Sequence, residues 1–361
     1  MERAITLDLD PNLQGYTEGT NLTITTDVPV FLDGSTITND LKDVQAIFNV
    51  VGYIFTPTLL IVGVFANCMT ILTMSSKSFS ELTSRYILIA LALSDTTCLM
   101  LQPFNKMFII QSFGFDARAV SNGGCKLFIW LFKTSKLTSS WLIVTLCFER
   151  FVAVVYPLKI KQIFNKKNIL VLITCEALPI GIFNGMWSFA SQVINGICKI
   201  DAIFPDTKWK YRNFLIAGTS IYSFIPITII MFLTPTIVWK LIQKRRSRQM
   251  LQHVSDRSTK KELRASLVTI SVVVAFIVLV CPIATLFLIA YWQNLAVYGA
   301  NNSIFFIARE IAQILEQINY SITFFLYIMC SDTFRRRALQ ILRRPCLSSK
   351  VAPVAFNSSS N

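Results

Sequence analysis

An almost uninterrupted apolar stretch connects Cys125 to the pair Glu149-Arg150, and it constrains the fold more than any other feature of the chain. At about 1.5 Å per residue, a helix of this length spans roughly the thickness of a bilayer together with part of its interface. The sequence therefore predicts a membrane helix that carries a cysteine at one face and a Glu-Arg pair at the other.

The composition of the whole chain agrees with a membrane protein. Of its 361 residues, 53% are apolar and only 15% are charged, which is too apolar for a soluble domain of this length. We therefore expect an all-α membrane protein, a bundle of seven transmembrane helices. The apolar stretches long enough to span a bilayer are found at about 46–74, 84–108, 122–156, 168–191, 212–240, 265–291 and 303–329.

The distribution of charge predicts the orientation in the membrane. The net charge of +14 is concentrated in the runs 159–167, 240–264 and 335–350, whereas acidic residues outnumber basic ones before Ala46. Because basic loops stay in the cytoplasm, we expect the N-terminus outside the plasma membrane and the C-terminus inside. None of the basic runs lies in a folded polar domain, so nucleic-acid binding is not expected.

These boundaries divide the chain into four segments. Residues 1–45 are predicted to be extracellular, 46–330 to form the transmembrane domain, 331–344 to form a short helix, and 345–361 to form a cytoplasmic tail. The short helix places Phe334, Ala338, Ile341 and Leu342 at helical spacing opposite five arginines. This amphipathic pattern predicts a helix that lies in the plane of the membrane interface.

Three kinds of covalent modification are expected. Most of the nine cysteines lie within apolar runs, but Cys125 and Cys198 both fall at the predicted extracellular face, where oxidation makes them the natural disulfide pair. Cys346 follows the basic amphipathic segment and is a candidate for palmitoylation. Asn21 and Asn301 begin glycosylation sequons in segments predicted to lie outside.

Taken together, these features resemble the rhodopsin-like (class A) G-protein-coupled receptors over about residues 46–344. The chain departs from that family where Val280 replaces a tryptophan, Thr234 a tyrosine and Thr323-Phe324 an Asn-Pro pair, and residues 168–180 contain no tryptophan. The stretch 319–327 is also similar to helix seven of invertebrate neuropeptide receptors. The positions that carry the resemblance are Asn67, Leu91 to Asp95, Cys125, Glu149-Arg150-Phe151, Pro157-Leu158, Pro226, Phe276, Pro282, Tyr327 and Phe334.

The resemblance implies a receptor and not an enzyme. Its intracellular partners would be a heterotrimeric G protein, which would contact Arg150, Pro157 and Leu158, together with arrestin and receptor kinases. Glu262 lies twenty residues before Pro282, at the level of Arg150, so a bridge between the two would close the cytoplasmic crevice. The alternative is that both side chains only snorkel to the interface. The implied activation switch comprises Asp95, Glu149, Arg150, Glu262, Phe276, Pro282, Asn319 and Tyr327.

An ionised carboxylate in mid-membrane needs a partner, which makes Asp95 a second candidate site. Asp95, Ser139 and Asn319 are similar to the sodium pocket of the family, and an allosteric sodium ion is the one cofactor expected. The alternative is a protonated, hydrogen-bonded aspartate, which Thr323 favours because it stands where family members carry an asparagine. With a single histidine, His253, and no visible cluster of ligands, other metal chemistry is not expected.

Charges within apolar helices are functional candidates, and the sequence places several of them in the ligand half of the bundle. Amine receptors carry an aspartate where this chain has Phe132, and the retinal-linking lysine position is Gln317, so a peptide ligand is expected. Lys136 and Glu316 are predicted to form an interhelical bridge, unless a wide cavity solvates both. The candidate ligand-binding residues are Lys106, Phe132, Lys133, Lys136, Glu176, Trp209, Tyr291, Glu310 and Glu316.

A different class of function uses the same charges as an ion path. An ion channel or transporter would conduct or take up solute in the absence of a G protein. The chain has no internal repeat, which is the usual sequence sign of a two-halved transporter.

Overall fold

The computed structural model describes residues 34–80, 82–105, 114–200, 216–250, 256–293 and 303–343. The chain divides into two compact units, Met1–Asp40 and Leu41–Asn361. Of the first unit only residues 34–40 are described, and they are helical. The second unit contains every side chain discussed below.

The described residues form eight long helices and one β-hairpin. Short helical turns at Lys77–Phe79, Ala117–Val120 and Ile160–Ile163 lie between them. The helices are α1 (Gly34–Met74), α2 (Arg85–Asn105), α3 (Asn122–Val155), α4 (Lys166–Phe189), α5 (residues 216–250), α6 (Asp256–Trp292), α7 (Ser303–Cys330) and α8 (Asp332–Arg343), and the strands are β1 (Ser191–Ile194) and β2 (Ile197–Ile200).

Six of the described helices, α1 to α6, contain segments long and apolar enough to cross a membrane. Helix α7 is not among these six, because polar residues lower its hydropathy, such as Gln313, Glu316, Gln317 and Asn319. Three of these four side chains are buried within the bundle, so the polarity of α7 faces its neighbours and not the surroundings.

Three helices continue beyond the apolar spans that the sequence predicted, while the membrane-spanning segments themselves, Val50–Met74, Ile216–Lys244 and Ala265–Trp292, agree with those spans. The first helix begins at Gly34, α5 extends to residue 250, and α6 begins at Asp256. Hydropathy marks the part of a helix that lipid can cover, whereas the backbone hydrogen bonds that define a helix continue in water.

Local side-chain chemistry sets the start of two helices and the turn of the hairpin. Ser121 accepts a hydrogen bond from the backbone N–H of Gly124 at 2.9 Å and caps α3, and Asn165 caps α4 in the same way. Asn195 and Gly196 both have positive φ, 53° and 73°, as a two-residue hairpin turn requires. The sequence reasoning predicted no strand here.

Helix α3 lies at the centre of the bundle, where it packs against α2, α4, α5 and α6. Two tryptophans of α3 fix its neighbours by hydrogen bonds to backbone carbonyls. Trp130 Nε1 donates to Gly181 of α4 at 2.8 Å, and Trp141 Nε1 donates to Ile221 of α5 at 3.2 Å. Since the partners are carbonyls, these bonds fix the height of α4 and α5 along α3.

Gly63 allows α1 to approach α2 and α7 closely. A Cβ atom at this position would lie 2.5 Å from Leu99 Cδ1 and 2.9 Å from Ser321 Cβ. One turn further on, Asn67 Nδ2 donates to the Tyr320 carbonyl of α7 at 3.0 Å. Small residues permit this kind of close helix packing within membranes, where lipid competes with apolar contacts.

Helix α8 is attached to the bundle through the ring of Phe334. This ring is fully buried and lies 5.3 Å from the ring of Tyr327, 5.8 Å from Phe324 and 6.2 Å from Phe79. A helix at this position was predicted. Its location in a membrane interface stays a prediction.

Candidate functional site

The Cys125–Cys198 disulfide confirms the predicted pairing and defines one end of the bundle, called the disulfide end below. It joins the first turn of α3 to β2, with 5.6 Å between the two Cα atoms. The two cysteines pack with Ile129 and Trp187 in a buried cluster. The hairpin is therefore held over the end of the bundle by a covalent bond.

Asp116 holds the neighbouring loop to the same hairpin. Its Oδ2 atom accepts hydrogen bonds from the backbone N–H of Cys198 at 3.0 Å and from Arg118 Nη2 at 2.8 Å. Burial raises the pKa of the Asp116 carboxyl, but the hydrogen bonds from Arg118 and Cys198 outweigh burial and hold the pKa below its usual value. As a carboxylate, Asp116 therefore stabilises the contact between this loop and the hairpin at the disulfide end.

Lys133 lies two turns below the disulfide and contacts an aromatic ring. Its Nζ atom is 4.7 Å from the ring centroid of Trp187, which belongs to α4 and is 3% exposed. A cation over an indole face is attracted by the quadrupole of the ring. In the described part of the chain, no carboxylate forms an ion pair with Lys133.

Lys136 and Glu316 form the interhelical ion pair that the sequence predicted. Lys136 Nζ of α3 lies 2.7 Å from Glu316 Oε1 of α7, and the two side chains are only 20% and 9% exposed. Tyr222 of α5 donates to the same oxygen at 2.5 Å. Three helices thus meet at one carboxylate.

A second tyrosine extends this network. The hydroxyls of Tyr222 and Tyr320 are 2.9 Å apart. Because the proton of Tyr222 is used by Glu316, Tyr320 is the donor to Tyr222. Lys136 Nζ also lies 5.1 Å from the Tyr222 ring. We call Lys136, Glu316, Tyr222 and Tyr320 the charged network.

A π-helical turn places Tyr222 in the charged network. This turn, Ser220–Phe224, precedes Pro226 and adds one residue to the helical repeat of α5. Trp141 of α3 donates to the Ile221 carbonyl inside the turn. The widened turn rotates Tyr222 toward α3 and α7, and a regular α-helix would present a different residue there.

The other candidate ligand residues lie in different surroundings. Phe132 is buried and stacks on Phe128 at 5.9 Å, Tyr291 is half-buried near the end of α6, and Glu310 pairs with Arg309 at 3.0 Å. Lys106 and Trp209 lie outside the described residues, as do Asn21, Asn301 and Cys346.

The predicted position of Glu176 in the ligand half was wrong. Glu176 Oε2 accepts a hydrogen bond from Thr145 of α3 at 2.9 Å. Thr145 is twenty residues from Cys125 but only five from Arg150, so Glu176 lies about 30 Å from the disulfide level and about 8 Å from that of Arg150. The charge of Glu176 within an apolar helix suggested a role in ligand binding. Its depth in the bundle, however, is fixed only by the packing of α4 on α3.

Asp95 is buried in the middle of the bundle. Its Oδ1 atom accepts a hydrogen bond from Ser139 at 2.5 Å, and Asn319 is buried as well. Asn67 Oδ1 is a buried oxygen without a hydrogen-bond partner among the described residues. Carboxylate and hydroxyl oxygens are ligands that a hard cation prefers, so the Asp95–Ser139 pair has the chemistry to contribute to a sodium site.

The opposite end of α3 carries Arg150. Its Nε atom lies 2.9 Å from Glu149 Oε2, a contact made as an ion pair without the alignment of a hydrogen bond. Arg150 also donates to Ser84, and Glu149 accepts from Thr83. The side chain of Glu262 lies outside the described residues, so the Arg150–Glu262 bridge stays a prediction.

The remaining predicted residues differ in their exposure. Phe276 and Val280 of α6 are fully buried, Tyr327 is 7% exposed, and Pro282 lies within α6. In contrast, Leu158 is 96% exposed beside Pro157. A leucine this exposed outside the apolar spans is available to a partner.

Sequence reasoning missed Arg309, Trp187, Tyr222 and Tyr320. Arg309 is 8% exposed and could have been found as a charge within a predicted span. The two tyrosines and Trp187 carry no such signal, because aromatic residues are common in apolar helices. Their role arises from contact with Lys133 and Glu316.

Comparison with known proteins agrees with this architecture. Residues 66–331 match the family model described as 7 transmembrane receptor (rhodopsin family). The allatostatin-A receptor of Bombyx mori is 23% identical over 283 residues, which cover 76% of this chain and 74% of that receptor. The dopamine D2-like receptor of Drosophila melanogaster is 24% identical over 208 residues, which cover 56% of this chain but only 21% of that receptor.

The family model covers well over half of the chain and includes the disulfide, the charged network and Arg150. This match accounts for the multi-pass architecture and identifies a receptor, not an enzyme. The chain belongs to the rhodopsin family of seven-transmembrane receptors.

Proposed function

We propose that this chain is a plasma-membrane receptor for an extracellular peptide and activates a heterotrimeric G protein. In this proposal the N-terminus and the disulfide end face outward, and the Arg150 end faces the cytoplasm. The observation that carries the proposal is the charged network, which joins α3, α5 and α7 near the disulfide end. It supplies polar contacts at a depth where an apolar bundle would supply none.

Two observations favour a peptide over an amine. Phe132 occupies the position at which amine receptors carry an aspartate, and its buried ring offers no counter-charge to an ammonium group. The allatostatin-A receptor aligns with three quarters of this chain, whereas the dopamine D2-like receptor aligns over a shorter stretch. The acidic N-terminal segment would steer a ligand with positive charge toward this face.

Ligand binding would act by replacing contacts in the charged network. A ligand can shift a conformational equilibrium only by the difference between its affinities for the two states. A ligand group that competes for Lys136 or Glu316 removes the bond between α3 and α7, so it favours a state in which that bond is absent. A ligand group that engages Glu316 also competes with Tyr222 for its acceptor, which weakens one of the contacts that hold α5.

At the cytoplasmic end, the expected result is an outward movement of α6. In the structure Arg150 contacts Glu149 and Ser84, and the proposal assigns this arrangement to the closed state. The G protein would contact Arg150 after release, and the exposed Leu158 with Pro157 would fill an apolar pocket of the partner. Phe276, Pro282, Asn319 and Tyr327 would transmit the change, since all four lie on α6 or α7.

Several further parts of the proposal follow from the same orientation. A sodium ion held by Asp95, Ser139 and Asn319 would favour the closed state. Helix α8 would lie in the membrane interface with its arginines toward lipid headgroups, anchored by palmitoylated Cys346. Asn21 and Asn301 would be glycosylated, and arrestin and receptor kinases would bind the activated cytoplasmic face.

A peptide library tests the proposal directly. Cells that express the chain together with a promiscuous G protein are exposed to neuropeptides, and second-messenger production is recorded. At least one peptide should produce a saturable response that Arg150→Ala, matched for surface expression, reduces. Ion current or solute uptake that persists without any G protein, with no peptide response, would instead support a channel or transporter.

A further inference from the structure

Among the described residues near the disulfide end, Lys126 and Lys133 each contact an aromatic ring and form no ion pair, and Lys133 is the deeper of the two. Asp116 pairs with Arg118, Glu310 with Arg309 and Glu316 with Lys136. Each of these carboxylates already has a cationic partner. Among the described residues, none of them forms a direct ion pair with Lys133.

Lys133 lies between the disulfide end and the charged network. It is eight residues after Cys125 and three before Lys136, so it lies about 12 Å below the disulfide and on the face of α3 that carries Lys136. A ligand that reaches the charged network from the disulfide end therefore passes Lys133.

The contact with Trp187 offsets only part of the cost of this charge. A cation over an aromatic face is worth about 0.5–2 kcal/mol, whereas a lone charge at membrane depth costs several kcal/mol. The indole is fixed by the disulfide cluster, and a Cβ atom on Gly218 of α5 would lie 3.1 Å from its Cζ2 atom. Lys133 is thus held on a rigid ring, and its ammonium group has no hydrogen-bond acceptor among the described residues.

We infer that Lys133 is the binding site for an anionic group of the ligand, a carboxylate of a peptide. This inference rests on the proposed function and specifies the chemistry of its ligand. An ammonium group has three donors, so it can bind a carboxylate while it stays on the Trp187 ring. The acid can be the C-terminal carboxylate or an Asp or Glu side chain, because both present the same two oxygens.

The chain contains a matched control for this lysine. Lys126 lies seven residues earlier on α3, and its Nζ atom is 5.4 Å from the ring of Phe189, which also belongs to α4. It makes the same kind of lysine-aromatic contact two turns nearer the disulfide end. Lys126→Gln therefore removes an equivalent charge and contact without altering the site below.

The test uses a peptide library synthesised in matched pairs. Each sequence is made with a free C-terminal carboxylate and as an amide, and each acidic side chain is paired with its amide. For the active peptides, the acid is expected to be about tenfold or more as potent as its matched amide on the wild-type receptor. Lys133→Gln should reduce this ratio to near one, whereas Lys133→Arg and Lys126→Gln should retain it.

Different results separate the two proposals. Active peptides whose acid-to-amide ratio is the same in Lys133→Gln as in the wild type would overturn the anion site but leave the peptide receptor standing. If no peptide activates the receptor, the same pools are tested for thermal stabilisation of the purified protein. Stabilisation by the acid pool of the wild type but not of Lys133→Gln would support the anion site alone, and no stabilisation by any pool would overturn it.

Discussion

Lys136 of α3 and Glu316 of α7 form a 2.7 Å ion pair across the bundle, eleven residues below Cys125. Neither helix could bury its charge alone, because an unpaired ammonium or carboxylate at this depth costs several kcal/mol. The pair therefore couples the position of α7 to that of α3. Tyr222 adds α5 to the same carboxylate.

Exchanging the two charges should show that they act as a pair. Lys136→Glu and Glu316→Lys should each reduce surface expression or response, because each leaves two like charges in contact. The double variant should recover part of the loss, with a coupling energy of about 0.5–3 kcal/mol. Recovery should be incomplete, because the lysine introduced at position 316 has no acceptor for the hydrogen bond that Tyr222 donates to Glu316. Losses that simply add in the double variant would mean that water solvates both charges.

Loss of the acidic partners of Arg150 should raise signalling in the absence of ligand. Glu149→Gln removes the ion pair present in the structure, and Glu262→Ala removes the partner predicted on α6. Destabilising the closed state by about 1 kcal/mol changes a two-state population about fivefold. Basal second-messenger levels are compared at equal surface expression. An increase in Glu149→Gln without one in Glu262→Ala would place the restraint on Glu149 and reject the bridge to α6.

Sodium should stabilise the receptor through Asp95. Replacing choline by Na⁺ at constant ionic strength should raise the free energy of unfolding by about 1 kcal/mol at five times the dissociation constant. Asp95→Asn should abolish the difference, because the amide removes the charge that neutralises the ion. Thermal unfolding of the purified receptor measures both. Equal stability of the wild type in the two salts would favour a protonated Asp95 that donates to Ser139.

Two glycines of α1 should respond in opposite ways to alanine. Gly63→Ala forces a Cβ atom against Leu99 and Ser321, and overpacking of this kind costs about 1–3 kcal/mol. A Cβ atom on Gly52 would meet no atom within 4 Å, so Gly52→Ala should be neutral or should gain up to about 1 kcal/mol of helix propensity. Thermal stability of the two variants checks the expectation. An equal effect of both would show that α1 does not approach its neighbours so closely.

The Asp116 carboxylate should make stability depend on acid pH. Because its pKa is lowered in the folded state, its contribution is fully present above the usual aspartate value of about 3.9 and is lost as the pH falls through the lowered pKa. Asp116→Ala also leaves the Cys198 N–H without its acceptor, which costs about 1–3 kcal/mol. The stability difference between wild type and variant should therefore shrink as the pH falls below 4. A difference that stays constant with pH would exclude an ionised Asp116 as its source.

Apolar length along the chain was enough to predict the membrane helices, because an apolar helix must match the thickness of a bilayer to span it. The spacing from Cys125 to Arg150 follows from that constraint. The disulfide followed as well, since both cysteines were assigned to one face. The pair of Lys136 with Glu316 could be predicted because their depths are set by helical rise, and a buried charge needs a partner.

Packing between helices sets which side chains surround each charge, and the sequence pattern could not predict it. The depth of Glu176 depends on the height of α4 against α3, which no periodicity within α4 specifies. The role of Tyr222 depends on one extra residue in a helical turn, and that of Trp187 on a hairpin held by the disulfide. In each case the deciding quantity is a contact between elements distant in the chain, whereas the sequence pattern reports only how each helix meets its surroundings.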